Sequence, residues 1–218
     1  MPIILSIKPQ PRKGKVYQLT MDDGRTFSFH EEVIARHSLK SHMELEESEL
    51  MEKKRESDRK IAFDLALRYL GYQKRTRRQL SDYLGRKGFE PEIIEETAAR
   101  MEEYRFVNDR EYAVSWVESR KRGQPAGRRK IECELKNKGI SEEVLNDALS
   151  GYTEEEEFRQ ALRLAEKYRK KYDNLPVRER MAKIGQALQR RGFDWETISR
   201  AVQSVTREES AEELDIDC

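Results

Sequence analysis

The amino-acid sequence predicts a mainly α-helical protein in which three tandem three-helix repeats, each similar to a helix-turn-helix unit, follow a small N-terminal β-hairpin extension. Apolar residues recur at helical spacing along most of the chain from about residue 59 onward. One pattern, an aliphatic residue, a leucine four positions later and then a Lys-Gly or Arg-Gly pair, occurs three times and ends at Gly88, Gly139 and Gly192. Repeats of about fifty residues bury little alone, so we expect them to stack into an elongated, curved array.

Composition limits the class of protein before any motif is considered. Of the 218 residues, 39% are charged and 36% are hydrophobic, and no apolar run reaches the roughly 18 residues that a membrane-spanning helix needs. The N-terminal sequence carries no signal-peptide pattern. The two cysteines, Cys133 and Cys218, are too far apart in sequence to suggest a disulfide framework. We therefore expect a cytoplasmic protein without a membrane partner.

The N-terminal extension, residues 1–43, is predicted to be a small β unit. Two strand-like runs flank Asp22-Asp23-Gly24, and an Asp-Gly pair between such runs is a strong hairpin signal, because glycine accepts the positive φ of a tight turn. A short helix is expected from Glu31 to Arg36. Residues 44–60 are densely charged with a narrow apolar stripe, which indicates a linker helix between the β unit and the helical body.

The three repeats are predicted at residues 61–104, 105–152 and 153–206, and an acidic tail follows at 207–218. In each repeat the glycine comes directly after a lysine or arginine. This order is typical of a helix C-terminus, since glycine adopts the left-handed conformation and the cation suits the helix dipole. The residues predicted to begin helices have first-turn proline or N-cap chemistry: Pro91, Ser141, Asp194, Thr76, Asn108 and Thr153.

No residue pattern indicates an enzyme. The three histidines, His30, His37 and His42, have no cysteine or acidic cluster at metal-ligand spacing, and we interpret them as surface residues rather than as a metal site. The glycines are interpreted as helix caps rather than as phosphate-binding loops. Cys133 lies within a predicted middle helix, where packing is its expected role. The sequence thus predicts a protein without catalytic residues, cofactor or metal.

Charge is unevenly distributed along the chain. Residues 59–207 carry 33 Lys and Arg against 25 Asp and Glu, whereas residues 208–218 carry six acidic residues and no basic one. This segregation suggests a polyanionic or acidic partner, with an acidic tail that could compete for the same basic surface, and solvated helix faces are the alternative explanation. The candidate interaction residues lie near the ends of the predicted helices: Arg77, Arg78, Arg86, Lys87, Arg120, Arg122, Arg128, Arg129, Lys130, Arg190 and Arg191.

The second repeat carries the most specific motif of the chain. Its residues are Phe106-Val-Asn-Asp109, Glu111, Ala113, Arg120, Gly127, Ile131, Glu134-Leu135 and Lys138-Gly139-Ile140. This pattern resembles the core motif of the RecX family, bacterial regulators of the RecA recombinase. The segment from Arg78 to Phe89 is similar to the family's preceding block, and the resemblance covers roughly residues 60–205, with a looser match in the third repeat.

The resemblance implies a cytoplasmic, non-enzymatic protein that binds the RecA filament on single-stranded DNA. Family members dampen strand exchange, ATP hydrolysis and the co-protease activity that triggers the SOS response, and so act in homologous recombination and DNA repair. The candidate interaction residues are then the expected contact surface, and reversing charge at Arg128, Arg129 and Lys130 together should abolish filament binding.

Two other interpretations stay open at the level of sequence. A helical-repeat protein could bind DNA directly without a recombinase, and a structural scaffold would need neither partner. The repeat array has no exposed heptad seam, which favours a monomer.

Overall fold

The structure is a computed structural model that describes the backbone of residues 1–11 and 14–216 and the side chains of residues 1–11 and 14–206. The chain divides into an N-terminal unit, residues 1–108, and a C-terminal unit, residues 109–218. The two units are described separately.

The N-terminal unit begins with a three-stranded antiparallel sheet in the order β1-β2-β3. Its strands are β1 (Ile4–Pro9), β2 (Val16–Met21) and β3 (Thr26–His30). The predicted hairpin is confirmed, since β2 and β3 pair across the Asp22-Asp23-Gly24 turn and Gly24 has a φ of 86°. β1 adds a third strand to this hairpin by pairing with β2.

One face of the sheet packs against a short helix, α1 (Glu31–Arg36), which has the expected bounds. The core between them consists of buried apolar side chains: Ile4, Leu19, Met21, Phe29, Val33, Leu39, Leu45 and Leu50. His30 is the N-cap of α1, and its Nδ1 accepts a hydrogen bond from the Glu32 N–H at 3.2 Å. Its Nε2 lies 3.2 Å from the Asp64 carboxylate.

The predicted surface position of the histidines is wrong for His30. Its side chain is only 1% exposed, because it caps a helix through one ring nitrogen and faces a carboxylate with the other. His37 is half-buried, and its Nε2 lies 2.7 Å from the Glu56 carboxylate. His42 is exposed, as predicted.

The charged segment that follows the sheet belongs to one long helix. α2 runs from Glu47 to Tyr72, so the segment predicted as a linker is continuous with the first helix of the first repeat. Leu50 lies in the core of the sheet, whereas Ala62 and Ala66 lie in the core of the first repeat. α2 therefore takes part in both apolar cores of the N-terminal unit.

Eight further helices complete the three repeats in the described ranges. In the N-terminal unit they are α3 (Arg77–Arg86) and α4 (Pro91–Glu103). In the C-terminal unit they are α5 (Asp109–Arg122), α6 (Arg128–Asn137), α7 (Glu142–Leu149), α8 (Glu154–Lys171), α9 (Val177–Arg190) and α10 (Trp195–Ile216). The aliphatic pair of the repeated pattern is buried in all three repeats: Leu80 with Leu84, Ile131 with Leu135, and Ile184 with Leu188. The predicted mainly helical fold of three three-helix repeats is confirmed.

The residues that end and begin the helices follow the predicted chemistry. Gly88, Gly139 and Gly192 come after the middle helices with φ of 85°, 83° and 81°. Thr76 forms a complete capping box at the start of α3, and the Thr153 hydroxyl accepts a backbone N–H of the first turn of α8. Local residue choice therefore sets the length of these helices.

Cys133 differs from its predicted role. Its side chain is exposed on α6, because it lies two positions from both Ile131 and Leu135 and so on the opposite side of the helix. Its sulfur accepts a hydrogen bond from the Asn137 side-chain amide at 3.5 Å. The expected packing role of Cys133 is wrong.

No helix within the described ranges is both long and apolar enough to span a bilayer. The acidic tail predicted at 207–218 lies outside the residues whose side chains are described.

Candidate interaction surface

Four predicted interaction residues lie on or directly after α3 in the N-terminal unit, and one of them is engaged within the repeat. Arg77 donates to the Glu102 carboxylate of α4 at 2.7 Å and also pairs with Glu95 on the same helix. A guanidinium shared by two carboxylates links α3 to α4. We therefore assign Arg77 to the packing of the first repeat.

The other three cations of this group face solvent. Arg78 and Arg86 are exposed and form no hydrogen bond or ion pair with another described residue. The exposed Lys87 ammonium lies 5.5 Å from the centre of the Tyr83 ring. These side chains are available to an anionic partner.

Arg120 of α5 is engaged within the second repeat. Its Nε donates to a carboxylate oxygen of Glu134 at 2.8 Å, and Trp116 Nε1 donates to the same oxygen at 2.9 Å. The guanidinium lies 4.6 Å from the centre of the Trp116 ring, a cation–π geometry. Arg120 thus connects α5 to α6, whereas Arg122 is exposed and its side chain binds no other described residue.

Two glycines bring the second and third repeats into direct backbone contact. Gly127, the N-cap of α6, donates its N–H to the Arg191 carbonyl at 2.9 Å. A Cβ on Gly127 would overlap the carbonyl of Gly192, and a Cβ on Gly192 would stand 2.5 Å from the Lys130 Cβ. We call this contact the glycine joint; neither of its glycines has room for a side chain.

Buried polar groups surround the glycine joint. The Tyr152 hydroxyl donates to the Ala126 carbonyl at 2.7 Å, and Glu157 accepts the Arg128 N–H at 2.9 Å. Burial raises the pKa of the Tyr152 hydroxyl and of the Glu157 carboxyl above their ordinary values. The Arg128 guanidinium donates to Glu132 at 3.0 Å. Arg128 therefore lies next to the glycine joint and is held there by Glu157 and Glu132.

The remaining predicted cations of the C-terminal unit meet at the same joint. The Lys130 ammonium donates to the Arg190 carbonyl at 3.4 Å. Arg129 and Arg190 are exposed, Arg191 is half-buried, and none of the three side chains binds another described residue. The structure thus brings together residues that are more than fifty positions apart in sequence.

Two residues at this surface were not identified from the sequence. Trp195 begins α10, is 80% exposed, and lines a groove of about 500 Å³ together with Arg129 and Phe193. Arg163 of α8 donates to two carbonyls at the C-terminus of α5, at 3.3 and 3.4 Å. Trp195 could have been noticed as an aromatic residue outside the apolar stripe of its helix. The Arg163 contact crosses more than 40 residues, so no local pattern predicts it.

The exposed cations of each unit have the chemistry to bind anions. Arginine side chains bind phosphates and carboxylates through two donors, and those at the exposed ends of helices can do so without breaking internal contacts. Among the residues with described side chains, no group of three His, Cys, Asp or Glu residues could hold a metal ion.

Glu157 supplies a prediction that depends on pH. We expect Glu157→Gln to keep an acceptor for the Arg128 N–H while removing a buried charge. Because the folded pKa of Glu157 is raised, the parent loses stability as pH rises from the ordinary carboxyl range through that raised value. The variant should therefore be more stable near neutral pH, by up to about 1 kcal/mol, and equal to the parent below about pH 4. Urea unfolding followed by circular dichroism at both pH values measures the difference, and a pH-independent difference would contradict it.

In the comparison with known proteins, each of the three repeats matches a separate family model. Family models described as the first, second and third three-helix domains of RecX match residues 62–101, 108–149 and 154–202. The regulatory protein RecX of Bacillus subtilis (strain 168) is 30% identical over 208 residues, which cover 95% of this chain and 79% of that protein. The regulatory protein RecX of Enterococcus faecalis is 31% identical over 201 residues, which cover 92% of this chain and 76% of that protein.

Two crystal structures have a similar fold. A structure described as regulatory protein RecX has a TM-score of 0.65 at 28% identity and covers 91% of this chain and 98% of its own. RecX from Lactobacillus salivarius has a TM-score of 0.61 at 30% identity and covers 68% of this chain and 97% of its own. With all three domains matched in order and relatives aligned along most of its length, this chain belongs to the RecX family.

Proposed function

We propose that this protein is a non-enzymatic, negative modulator of the RecA recombinase, acting in the cytoplasm on RecA filaments assembled on single-stranded DNA. The observation that carries the proposal is the match to a relative named regulatory protein RecX over 95% of the chain. Binding would dampen strand exchange, ATP hydrolysis and SOS co-protease activity. It would thereby restrain homologous recombination and DNA repair.

The exposed cations support binding to a polyanionic assembly. In the N-terminal unit they are Arg78, Arg86 and Lys87, and in the C-terminal unit Arg122, Arg129 and Arg190. A nucleoprotein filament presents carboxylates and phosphates at regular intervals. Single exposed ion pairs contribute about 1 kcal/mol or less, so the affinity would come from several contacts and would fall as salt increases.

Direct binding to DNA is the second candidate function. It is favoured by the exposed Trp195 beside Arg129 at the groove of the third repeat. An exposed indole can stack on an unpaired base while a neighbouring guanidinium meets a phosphate. In this case no recombinase would be required.

Titration of the purified protein into RecA filaments on single-stranded DNA separates the two candidates. We expect ATP hydrolysis to fall at fewer than one molecule of this protein per RecA subunit. Binding to the same DNA without RecA, at the same salt, should be weak. Unchanged hydrolysis together with tight binding to bare DNA would overturn the proposal in favour of a DNA-binding protein.

A further inference from the structure

A groove of about 420 Å³ lies in the N-terminal unit between the sheet and α2. Its α2 wall consists of residues spaced by three or four positions: Lys54, Asp58, Ile61, Leu65 and Arg68. At this spacing they lie on one side of the helix and extend over about 21 Å. The opposite wall includes the Thr26-Phe27-Ser28 segment of β3, and Phe89 adds a further apolar side chain.

The β3 wall of the groove is a sheet edge. Among the strands of the described residues, β3 pairs with β2 alone. The Met21 N–H donates to the Arg25 carbonyl and the Glu31 N–H donates to the Lys15 carbonyl, both at 2.8 Å. In an antiparallel ladder, hydrogen-bonded pairs alternate with pairs that are not hydrogen-bonded. The backbone N–H and C=O groups of the odd-numbered residues of β3 therefore point toward β2. The even-numbered residues direct their backbone groups away from β2.

Part of this edge is already occupied and part is open. The His30 N–H donates to the Ser57 hydroxyl of α2 at 2.6 Å. The N–H groups of Thr26 and Ser28 donate to no other described residue. Thr26 and Ser28, which both line the groove, therefore have outward-facing N–H groups that a further strand could use.

The groove carries excess positive charge. Lys54 pairs with Asp58 within α2. Arg68 donates only to the Asp64 carbonyl, at 3.4 Å, and Lys87 has no carboxylate partner among the described residues. Two cations thus remain for the side chains of a ligand, beside apolar surface.

We propose that this groove binds an extended, acidic segment of a partner protein, which pairs with the open edge of β3 as a fourth strand. A strand supplies carbonyls at the spacing of the outward N–H groups of Thr26 and Ser28, and its alternating side chains can place acids near Arg68 and Lys87 and apolar groups against Ile61 and Leu65. The site shares Lys87 with the cations proposed to bind RecA filaments, but its strand edge and Arg68 are not among those cations. The Ser28→Pro variant and the N-methylated peptide therefore test the groove separately from that function.

The test uses the full-length protein and a fluorescein-labelled hexapeptide of alternating glutamate and valine, with affinity measured by fluorescence anisotropy. We expect micromolar binding to the parent. A peptide with lysine in place of glutamate, and one N-methylated at every second residue to block strand pairing, should each bind at least tenfold more weakly.

Protein variants test separately how much the strand edge and the positive charge contribute to peptide binding. Ser28→Pro removes the outward N–H at an edge position where proline is tolerated, whereas Ser28→Ala keeps it. We expect at least tenfold weaker binding for Ser28→Pro and for Arg68→Glu with Lys87→Glu. Ser28→Ala, and the matched double reversal of the exposed Lys8 and Lys40, should bind like the parent.

Three results would overturn the proposal. The first is no binding of the peptide to the parent, and the second is equal binding of the N-methylated peptide. The third is binding to the parent that becomes at least tenfold tighter when the acids of residues 208–217 are changed to amides in the full chain. That result would assign the groove to the chain's own acidic segment.

Discussion

Gly192→Ala is expected to destabilise the C-terminal unit by about 2–5 kcal/mol. An alanine with a φ near 81° costs about 1–2 kcal/mol. The new Cβ would also stand 2.5 Å from the Lys130 Cβ and 2.8 Å from the Lys130 nitrogen. Such overlap with a helix backbone adds about 1–3 kcal/mol, because α6 must move away from the glycine joint.

Gly88→Ala is the matched control for this prediction. Gly88 occupies the equivalent position of the first repeat with a φ of 85°, and a Cβ there would have no neighbour within 4 Å. We expect it to cost only the conformational part, about 1–2 kcal/mol. Both tryptophans, Trp116 and Trp195, are in the C-terminal unit, so their fluorescence during urea unfolding measures the loss in Gly192→Ala. Circular dichroism, which follows the helices of both units, measures the loss in Gly88→Ala. Equal losses at Gly88 and Gly192 would show that the joint contributes nothing in solution.

The part of the fold that local residue chemistry controls could be predicted from the sequence. The glycines after the middle helices, the Thr76 capping box and the Asp-Gly hairpin turn all act within a few residues of their own position. The repeated aliphatic pairs likewise predicted the core of each repeat. Signals of this kind are visible in sequence because cause and effect lie in the same turn or helix.

Contacts between residues distant in sequence could not be predicted. Nothing near His30 indicates that Asp64 and Ser57 will meet it from α2. The three glycines of the repeated pattern look equivalent, yet only the packing of two repeats makes Gly192 a close contact of Gly127. Such contacts depend on how whole helices pack against one another. The spacing of apolar residues along one sequence does not specify that packing.

The sequence predicted the cations of the candidate site as one group. It did not predict which of them pair with carboxylates inside the fold and which are exposed. Arg77 and Arg120 match the pattern of surface cations as well as Arg78 and Arg122 do. The structure places the first two against carboxylates of neighbouring helices and leaves the second two exposed. The difference arises from acidic partners more than ten residues away, at Glu102 and Glu134.

This division of roles changes the experiment that tests the surface. Arg128 and Lys130 make hydrogen bonds within the C-terminal unit, so reversing them together with Arg129 would disturb the glycine joint as well as any partner. Arg129 and Arg190 are the exposed cations of the same joint without such bonds. Their reversal tests binding with the least effect on folding.

Arg129→Glu combined with Arg190→Glu is expected to weaken binding to RecA filaments on single-stranded DNA at least tenfold, or about 1.4 kcal/mol. Attraction to carboxylates or phosphates becomes repulsion at both positions, and the salt dependence of binding should become less steep. Lys170→Glu with Arg178→Glu changes the net charge equally at exposed sites, and Arg178 lies about 18 Å along α9 from Arg190. This control should keep most of the affinity, because charges that lie more than a Debye length from the contact surface are largely screened by salt. Equal weakening of both pairs would mean that net charge, and not the surface at the joint, drives association.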